Sequence, residues 1–223
     1  MKRIALVLFI ASLFFSSFSN AQSINWAALK KDQKHIASVH TGADYAFTYG
    51  AAYGYQLKSK LPVILMAGYS FPSGNAISDD FKSELGAQAN WYQSKNFYIS
   101  SKLLSIFRRV ENTYARLLNF GAGVSATAGF YKKHWFAAGE IGFDKAIITH
   151  FKHTDLYKAN FPAVKDGWYE PSTGGNFYYG ITAGYSFKDA DIYLRTGKLI
   201  QQDFKTSPML PFYAELGLNL KFR

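Results

Sequence analysis

Three side chains that could bind a metal ion or activate water lie close together in the second half of the chain. They are His150, His153 and Asp155. Imidazole nitrogens and carboxylate oxygens are both ligands that zinc accepts in proteins. Their spacing is loose for a metal motif, so we predict neither a metal centre nor another cofactor. We treat these residues instead as candidates for contact with an external ligand.

A hydrolytic alternative would use the same histidine. His153 and Asp155, together with the acidic pair Asp79 and Asp80, could activate a water molecule for attack on a peptide. The arrangement resembles the omptin proteases, ten-stranded barrels in which an aspartate pair on one outer loop faces an Asp/His pair on another. That resemblance implies protease activity, but here the acids are adjacent and His precedes Asp, unlike in the family.

A lipid-modifying hydrolase would need a serine activated by a histidine. No local motif of that kind is present, and Ser100, Ser101 and Ser105 have no histidine nearby in sequence. We therefore predict no catalytic residue and keep a surface hydrolase, omptin-like or lipid-modifying, as an alternative function.

A larger polar group interrupts segments that otherwise alternate between apolar and small residues. If the apolar faces point outward, these side chains point inward, and their mixed signs predict ion pairs between strands. Reflection about the turn at Ser94–Asn96 places Gln88 near Lys102, and Arg195 and Glu215 lie on adjacent segments. We predict a largely filled polar interior, with a narrow porin-like channel for small solutes as the alternative. The predicted interior network consists of Glu84, Gln88, Lys102, Arg116, Glu140, Asp144, Arg195 and Glu215.

The segments that position these residues have the period of β-strands, with one apolar face and one polar or small face. Several are long enough to cross a bilayer when tilted, which takes about 9–11 residues. Together they predict an all-β protein, a closed antiparallel up-and-down transmembrane β-barrel of ten strands, with eight as the alternative. The predicted strands are His35–Thr41, Phe47–Leu57, Val63–Phe71, Phe81–Tyr92, Phe97–Phe107, Leu118–Phe130, Trp135–Ile147, Phe177–Phe187, Asp191–Leu199 and Phe212–Phe222.

The last strand carries a further pattern. Glu215 and Gly217 are followed by Leu220 and Phe222, two hydrophobic residues two positions apart. The strand resembles the terminal signal by which outer-membrane barrels of Gram-negative bacteria are recognised for assembly. The resemblance implies small outer-membrane barrels as the class, the barrel assembly machinery as a partner, and outer-membrane lipid and lipopolysaccharide as surroundings.

The N-terminus agrees with export. Lys2 and Arg3 precede an apolar run, and the small-residue site Ser19–Ala21 follows, which predicts a signal peptide over residues 1–21 and one barrel domain over 22–223. The chain has no cysteine, and aromatic residues make up 18% of it, as the interfaces of a membrane barrel require. Its net charge of +10 could indicate nucleic acid. Export argues against that partner and favours anionic lipid headgroups.

The connections alternate between short polar turns and longer loops, and the longest runs from Thr149 to Gly175. It is rich in aromatic residues, among them Trp168 and Tyr169, beside lysines. Two interpretations remain open: a cap over the barrel mouth, or a surface that presents rings to a glycan or small solute. We predict a non-enzymatic structural or binding protein of the envelope.

Overall fold

The computed structural model describes residues 23–74, 77–171, 174–205, 208 and 210–223. The predicted signal peptide lies outside these residues. Within these residues, eleven strands form a single antiparallel sheet that closes on itself, and one short helix lies in a connection between strands. The strands are β1 (His35–Ala43), β2 (Phe47–Gln56), β3 (Val63–Pro72), β4 (Asp80–Ser94), β5 (Phe97–Glu111), β6 (Ala115–Tyr131), β7 (Trp135–His153), β8 (Gly167–Tyr169), β9 (Gly175–Ser186), β10 (Ala190–Gln201) and β11 (Phe212–Phe222), with the helix α1 at Asp155–Asn160.

The ring is closed by the first and last strands. β1 pairs with β11 along its whole length, from His35 opposite Phe222 to Ala43 opposite Ala214. Ten strands form the ring, and β8 lies outside it. The prediction of a closed ten-stranded antiparallel barrel is confirmed, and the weakly patterned segment from His35 does supply the first strand.

The two faces of the wall divide as alternation predicts. Outward residues such as Leu85, Leu103 and Ile181 are 62–65% exposed, whereas inward polar residues such as Ser38 and Asn219 are at most 2% exposed. The short turns, including Lys95–Asn96 between β4 and β5, lie at one end of the barrel, which we call the turn end. The opposite end, which carries the longer connections, is the loop end.

Arg116 is the exception within the predicted interior network. On β6 it shares the outward alternation of Phe120 and Val124, which are 41% and 50% exposed. Its neighbours across the sheet are Glu111 and Lys152, both of which are exposed. The prediction that Arg116 faces the interior is wrong, because the strand begins earlier than expected and alternation carries Arg116 to the outside.

Several strands extend further toward the loop end than their patterns predict. β5 continues to Glu111, beyond its predicted end at Phe107, and β7 continues to His153, beyond its predicted end at Ile147. The connections after both strands are therefore shorter than predicted. β7 extends further toward the loop end than its ring neighbour β9, which pairs with it only up to Lys145. Beyond that point β8 supplies the partner, at Thr149–Phe151, and so covers an edge that would otherwise expose unpaired backbone groups.

Aromatic side chains form an outward belt near the loop end. Phe81 and Phe107 have ring centroids 5.8 Å apart, Phe107 and Phe120 4.9 Å, and Phe120 and Trp168 5.9 Å. This series of rings, the loop-end belt, runs over the neighbouring strands β4, β5 and β6 and reaches β8 on the far side of β7. Amphipathic and aromatic rings favour the boundary between water and hydrocarbon. Among the described residues, no helix has the length and apolar character needed to cross a membrane.

Gly217 is fixed by a ring on the neighbouring strand. It lies directly opposite Tyr193, and a Cβ added at Gly217 would overlap the Tyr193 ring. We expect Gly217→Ala to destabilise the barrel by about 1–3 kcal/mol, as overpacking does. Gly139→Ala is the matched control, since a Cβ there would meet only one atom, the Ala128 carbonyl oxygen, at 3.9 Å.

The temperature at which the folded barrel loses its fast gel mobility would measure this difference. Tyr193→Ala should remove most of the penalty of Gly217→Ala. An undiminished penalty in that background would refute the packing explanation and favour a role for Gly217 in assembly alone.

Candidate functional site: a sealed interior below an open vestibule

An arginine and two glutamates form an ion-pair cluster on the inner wall of the barrel. The Arg195 guanidinium donates to Glu140 over 2.7 and 2.8 Å and to Glu215 over 2.8 Å. It also lies over the Tyr213 ring at 4.4 Å, and His40 Nε2 is 3.5 Å from Glu215. Charges removed from water are tolerated only when paired and hydrogen bonded. Strands β7, β10 and β11 supply one member each, so the cluster reaches over the intervening strand β9 along one side of the lumen.

A second group of charges lies nearer the loop end. The Lys82 ammonium contacts Asp44 at 2.5 Å and Glu84 at 3.3 Å. Arg108 is 3.2 Å from Asp80 and lies over the Tyr45 ring at 3.9 Å. These pairs join the β1–β2 turn to β4 and β5. Three acids, Asp44, Glu84 and Asp80, thus meet two bases at this level of the lumen.

The predicted pairing about the Lys95–Asn96 turn is present in the register. Gln88 lies opposite Lys102, although its amide donates to Ser100, at 3.5 Å, rather than to the lysine. Within the described part of the chain, no hydrogen bond or salt bridge joins the Lys102 ammonium to another side chain. Lys102 borders a pocket of about 20 Å³ beneath Arg195 and Glu140, room for roughly one water molecule.

The turn end is filled by the segment Ser23–Leu29, which precedes the first strand. Ile24 is 2%, Asn25 0% and Trp26 7% exposed. Ile24 and Trp26 belong to an apolar cluster with rings from the inner wall, among them Tyr98 and Phe136. Burial of such side chains contributes about 1.5–3 kcal/mol each.

Hydrogen bonds hold this segment in place. The Asn25 amide donates to Ser186 Oγ at 2.7 Å and to the Lys132 carbonyl at 2.8 Å, and Asn219 donates to the Ser23 carbonyl at 2.8 Å. Farther along, Lys30 donates to Asp189 at 3.1 Å and holds the pKa of that carboxyl below its usual value. We call Ser23–Leu29 the turn-end seal.

Sequence reasoning missed the turn-end seal. Its apolar residues follow neither the strand nor the helix period, so no element was predicted there. The available signal was its composition: Ile24, Trp26 and Leu29 would be costly to expose in a short linker.

The loop end is open. A cavity of about 810 Å³, which we call the vestibule, is lined by polar groups such as Asp144, Asn119 and Asn176 and by the aromatic rings Phe151 and Tyr169. The floor includes Asp44 and Lys82 but none of the Arg195 cluster. Asp144, placed in the predicted interior network, therefore lines the vestibule, where it accepts a hydrogen bond from the Asn176 backbone N–H at 3.2 Å.

The residues proposed as loop ligands do not converge. His150 and His153 lie on opposite faces of β7 because three positions separate them. His150 packs outward against Trp168, with ring centroids 4.9 Å apart, while His153 Nδ1 is 2.9 Å from Asp166. Asp155 begins α1, after the N-cap Thr154. No cluster of three or more metal-ligating side chains occurs within the described ranges.

The long connection packs against its own strand rather than across the mouth. The His153 backbone N–H, Lys158 and the His153 ring all bond Asp166 and hold the pKa of its carboxyl well below the usual range. The Tyr169 hydroxyl donates to the Lys165 carbonyl at 2.9 Å. The connection thus forms one wall of the vestibule, with Trp168 turned outward and Tyr169 inward.

The arrangement required for an omptin-like mechanism is not assembled. Asp80 is paired with Arg108, and Asp79 accepts a hydrogen bond from Ser78 at 3.2 Å. His153 is engaged by Asp166 instead of Asp155. The acids and the histidine are therefore held by other partners.

No protein-family model matches the chain, and no curated protein matches it. Solved structures with a similar shape include a KdgM porin in complex with disordered oligogalacturonate, at 7% identity and a TM-score of 0.43, covering 84% of this chain and 99% of that one. The outer membrane enzyme PagL follows at 13% identity and 0.31, covering 84% and 99%. The NanC porin is 7% identical with a TM-score of 0.35, covering 85% and 99%. Similarity this distant does not extend to what the protein does, and the closed barrel rests on its strand pairing.

The Arg195 cluster should be a large contributor to stability when one member is removed. Arg195→Met leaves Glu140 and Glu215 buried without their cation, which costs about 3–5 kcal/mol in comparable pairs. Arg223→Gln is the control, because the Arg223–Asp32 pair is exposed and exposed pairs contribute about 0–1 kcal/mol.

Urea unfolding of the barrel in detergent micelles would measure both variants. Adding Glu140→Gln and Glu215→Gln to Arg195→Met should restore part of the loss. Equal stability of Arg195→Met and the native chain would contradict the paired-charge account.

Proposed function

We propose that this protein is an integral outer-membrane barrel without enzymatic activity that is closed to solute flow and binds a small polar ligand at its loop end. The observation that carries the proposal is the contrast within one lumen. The vestibule holds about 810 Å³, whereas the pocket between the Arg195 cluster and the turn-end seal holds about 20 Å³. A pore requires a continuous polar path, and here two layers interrupt it.

Location in a membrane is supported by the outer surface. Large apolar side chains, such as Leu216 and Ile141 at 54% and 64% exposure, cover the wall between the aromatic residues of the two ends. So extensive an apolar surface would be unfavourable in water. We place the turn end in the periplasm, because outer-membrane barrels have short periplasmic turns and longer outer loops. The vestibule then faces the exterior.

The last strand supports the same assembly route. Leu220 and Phe222 point outward, at 49% and 47% exposure, while Glu215 is buried. We propose that these residues, with Gly217, serve the barrel assembly machinery before the ring closes, and that lipopolysaccharide and phospholipid surround the finished wall.

The ligand class follows from the vestibule lining. Phe151 and Tyr169 offer flat faces, and Asn119, Asn176 and Asp144 offer hydrogen-bonding groups. Such a combination suits a short glycan or another small polar solute that has both apolar faces and hydroxyl groups. The narrow-channel function remains the competing proposal, and the following two experiments separate it from a sealed barrel.

Single-channel recording provides the first prediction. We expect the purified barrel to insert in a planar bilayer without producing steady current steps, because the Arg195 cluster and the turn-end seal close the lumen. Reproducible steps of fixed amplitude would contradict the sealed interior and favour the channel.

Cysteine labelling provides the second prediction, since the native chain has no cysteine. Asn176 and Thr182 both point inward on β9, Asn176 into the vestibule and Thr182 into the small pocket. We expect a membrane-impermeant maleimide added to intact cells to label Asn176→Cys. Thr182→Cys should react only after the barrel is unfolded; labelling of both at similar rates would mean that the lumen is open.

A further inference from the structure

The outer face of the barrel carries a group of cations that the sealed interior and the vestibule do not use. Arg109 on β5, Arg116 on β6 and Lys152 on β7 all follow the outward alternation of their strands. The register brings them together: Arg116 lies directly opposite Lys152, and Glu111 lies directly opposite Arg116. We call the three basic residues the outer cation triad.

Two like charges directly opposite each other on adjacent strands destabilise the pairing of those strands. Arg116 and Lys152 are nevertheless directly opposite each other. The register places one carboxylate, Glu111, on the other side of Arg116. Glu111 is already held by the Arg109 guanidinium. The triad therefore keeps a surplus of positive charge at one place on the wall.

The donors of the triad are not used up by the protein. Within the described chain, no hydrogen bond or salt bridge joins the Arg116 guanidinium or the Lys152 ammonium to another side chain. Lys152 is exposed and Arg116 is half-buried, so their terminal nitrogens are available to an external acceptor. A phosphate group, with several oxygens and up to two negative charges, would satisfy two guanidinium donors and an ammonium at once.

The height of the triad on the barrel identifies the source of the phosphate. Arg109 follows the belt residue Phe107 by two positions, and Arg116 precedes the belt residue Phe120 by four. At about 3.3 Å per residue along strands tilted by about 35–45°, the cations lie roughly 5–10 Å beyond the belt, toward the loop end. If the belt marks the hydrocarbon boundary, that height is the headgroup layer.

We infer that the outer cation triad is a binding site for the phosphorylated headgroup of a membrane lipid in the loop-end leaflet. Arg116 and Lys152 contact the phosphate from adjacent strands, and Arg109 contributes through the donors that Glu111 leaves free. His150 shares this face, two positions before Lys152 on β7, and its Trp168 neighbour covers the acyl side. The site depends on the placement of the barrel in a membrane but not on the ligand proposed for the vestibule.

The test uses the full-length barrel in detergent micelles and counts bound lipid by native mass spectrometry. The probe is bisphosphorylated lipid A, with the dephosphorylated lipid and inorganic phosphate as comparison arms. We expect Arg116→Gln with Lys152→Gln to lower the apparent affinity for lipid A by at least about tenfold, because charge-assisted hydrogen bonds are lost. The charge-conserving pair Arg116→Lys with Lys152→Arg should retain most of the binding.

Lys198→Gln is the matched control. Lys198 is also outward and exposed, but its cross-strand partners are Tyr179 and Phe212 rather than another cation. Native-like binding in Lys198→Gln, and weak binding of dephosphorylated lipid to the native chain, would support the site. Three results would overturn it: unchanged lipid A binding in the double variant, an equal loss in Lys198→Gln, or complete competition by inorganic phosphate. Heat-modifiable gel mobility of each variant verifies folding, and failure of the native chain to enter micelles would refute the membrane proposal itself.

Discussion

The backbone pairing of β1 with β11 is the interaction on which the rest of the structure depends. An open sheet of this length would leave two strands with rows of unpaired N–H and C=O groups. In hydrocarbon each unsatisfied group costs several kcal/mol, so only a closed ring is tolerated. His35 on the first strand therefore meets Phe222 on the last strand. The other strands of the ring lie between these two.

Closure has a direct consequence for the interior. A ring of ten strands encloses little space, so the inward side chains meet across the lumen. Buried charges are costly unless they are paired, and Arg195 is paired with both Glu140 and Glu215, whereas Lys102 borders the small pocket instead. The same principle applies near the turn end, where Lys221 and Asp191 are 0% exposed and 2.7 Å apart. In the proposed function, the bonds that stabilise the wall thus also help to close the lumen.

Two surfaces of the closed ring carry polar or charged side chains that remain available to a ligand. One is the vestibule, where Asp144 and Asn176 face a cavity instead of a neighbouring strand. The other is the outer cation triad, where Arg116 and Lys152 share a face with no balancing pair of acids. Both lie toward the loop end, beyond the part of the lumen that Arg195 fills. Both proposed binding sites are therefore at the same end of the barrel.

Much of the fold could be predicted because the strand period is a local property. Phe212–Phe222 was predicted to the residue, and the alternation of Leu85, Ile181 and Leu216 identified the outer face. Arg116 was misplaced because its strand starts at Ala115, three positions earlier than the pattern indicated. That extension depends on pairing with the end of β5 rather than on the residues themselves.

The candidate site was less accessible to such reasoning. The turn-end seal has no period, since Ile24, Asn25 and Trp26 owe their burial to the shape of a lumen built by distant strands. The pairing of Arg195 with Glu215 could be predicted because both lie on adjacent strands. Its second partner, Glu140, lies two strands away on β7, and alternation alone does not predict a contact over the intervening strand β9. His150 and His153 were considered together from their spacing, but β7 places them on opposite faces.

Cross-linking between the first and last strands tests the closed ring most directly. Val39 and Leu218 lie directly opposite each other, and opposed positions of antiparallel strands have Cα separations of about 4.5–5.5 Å, within the range of a disulfide. In a chain without native cysteine, Val39→Cys with Leu218→Cys should cross-link rapidly under mild oxidation, and Val39→Cys with Leu220→Cys, two positions out of register, far more slowly. Failure of the in-register pair to cross-link in the folded protein, or equal rates for both pairs, would contradict the closed ten-stranded ring.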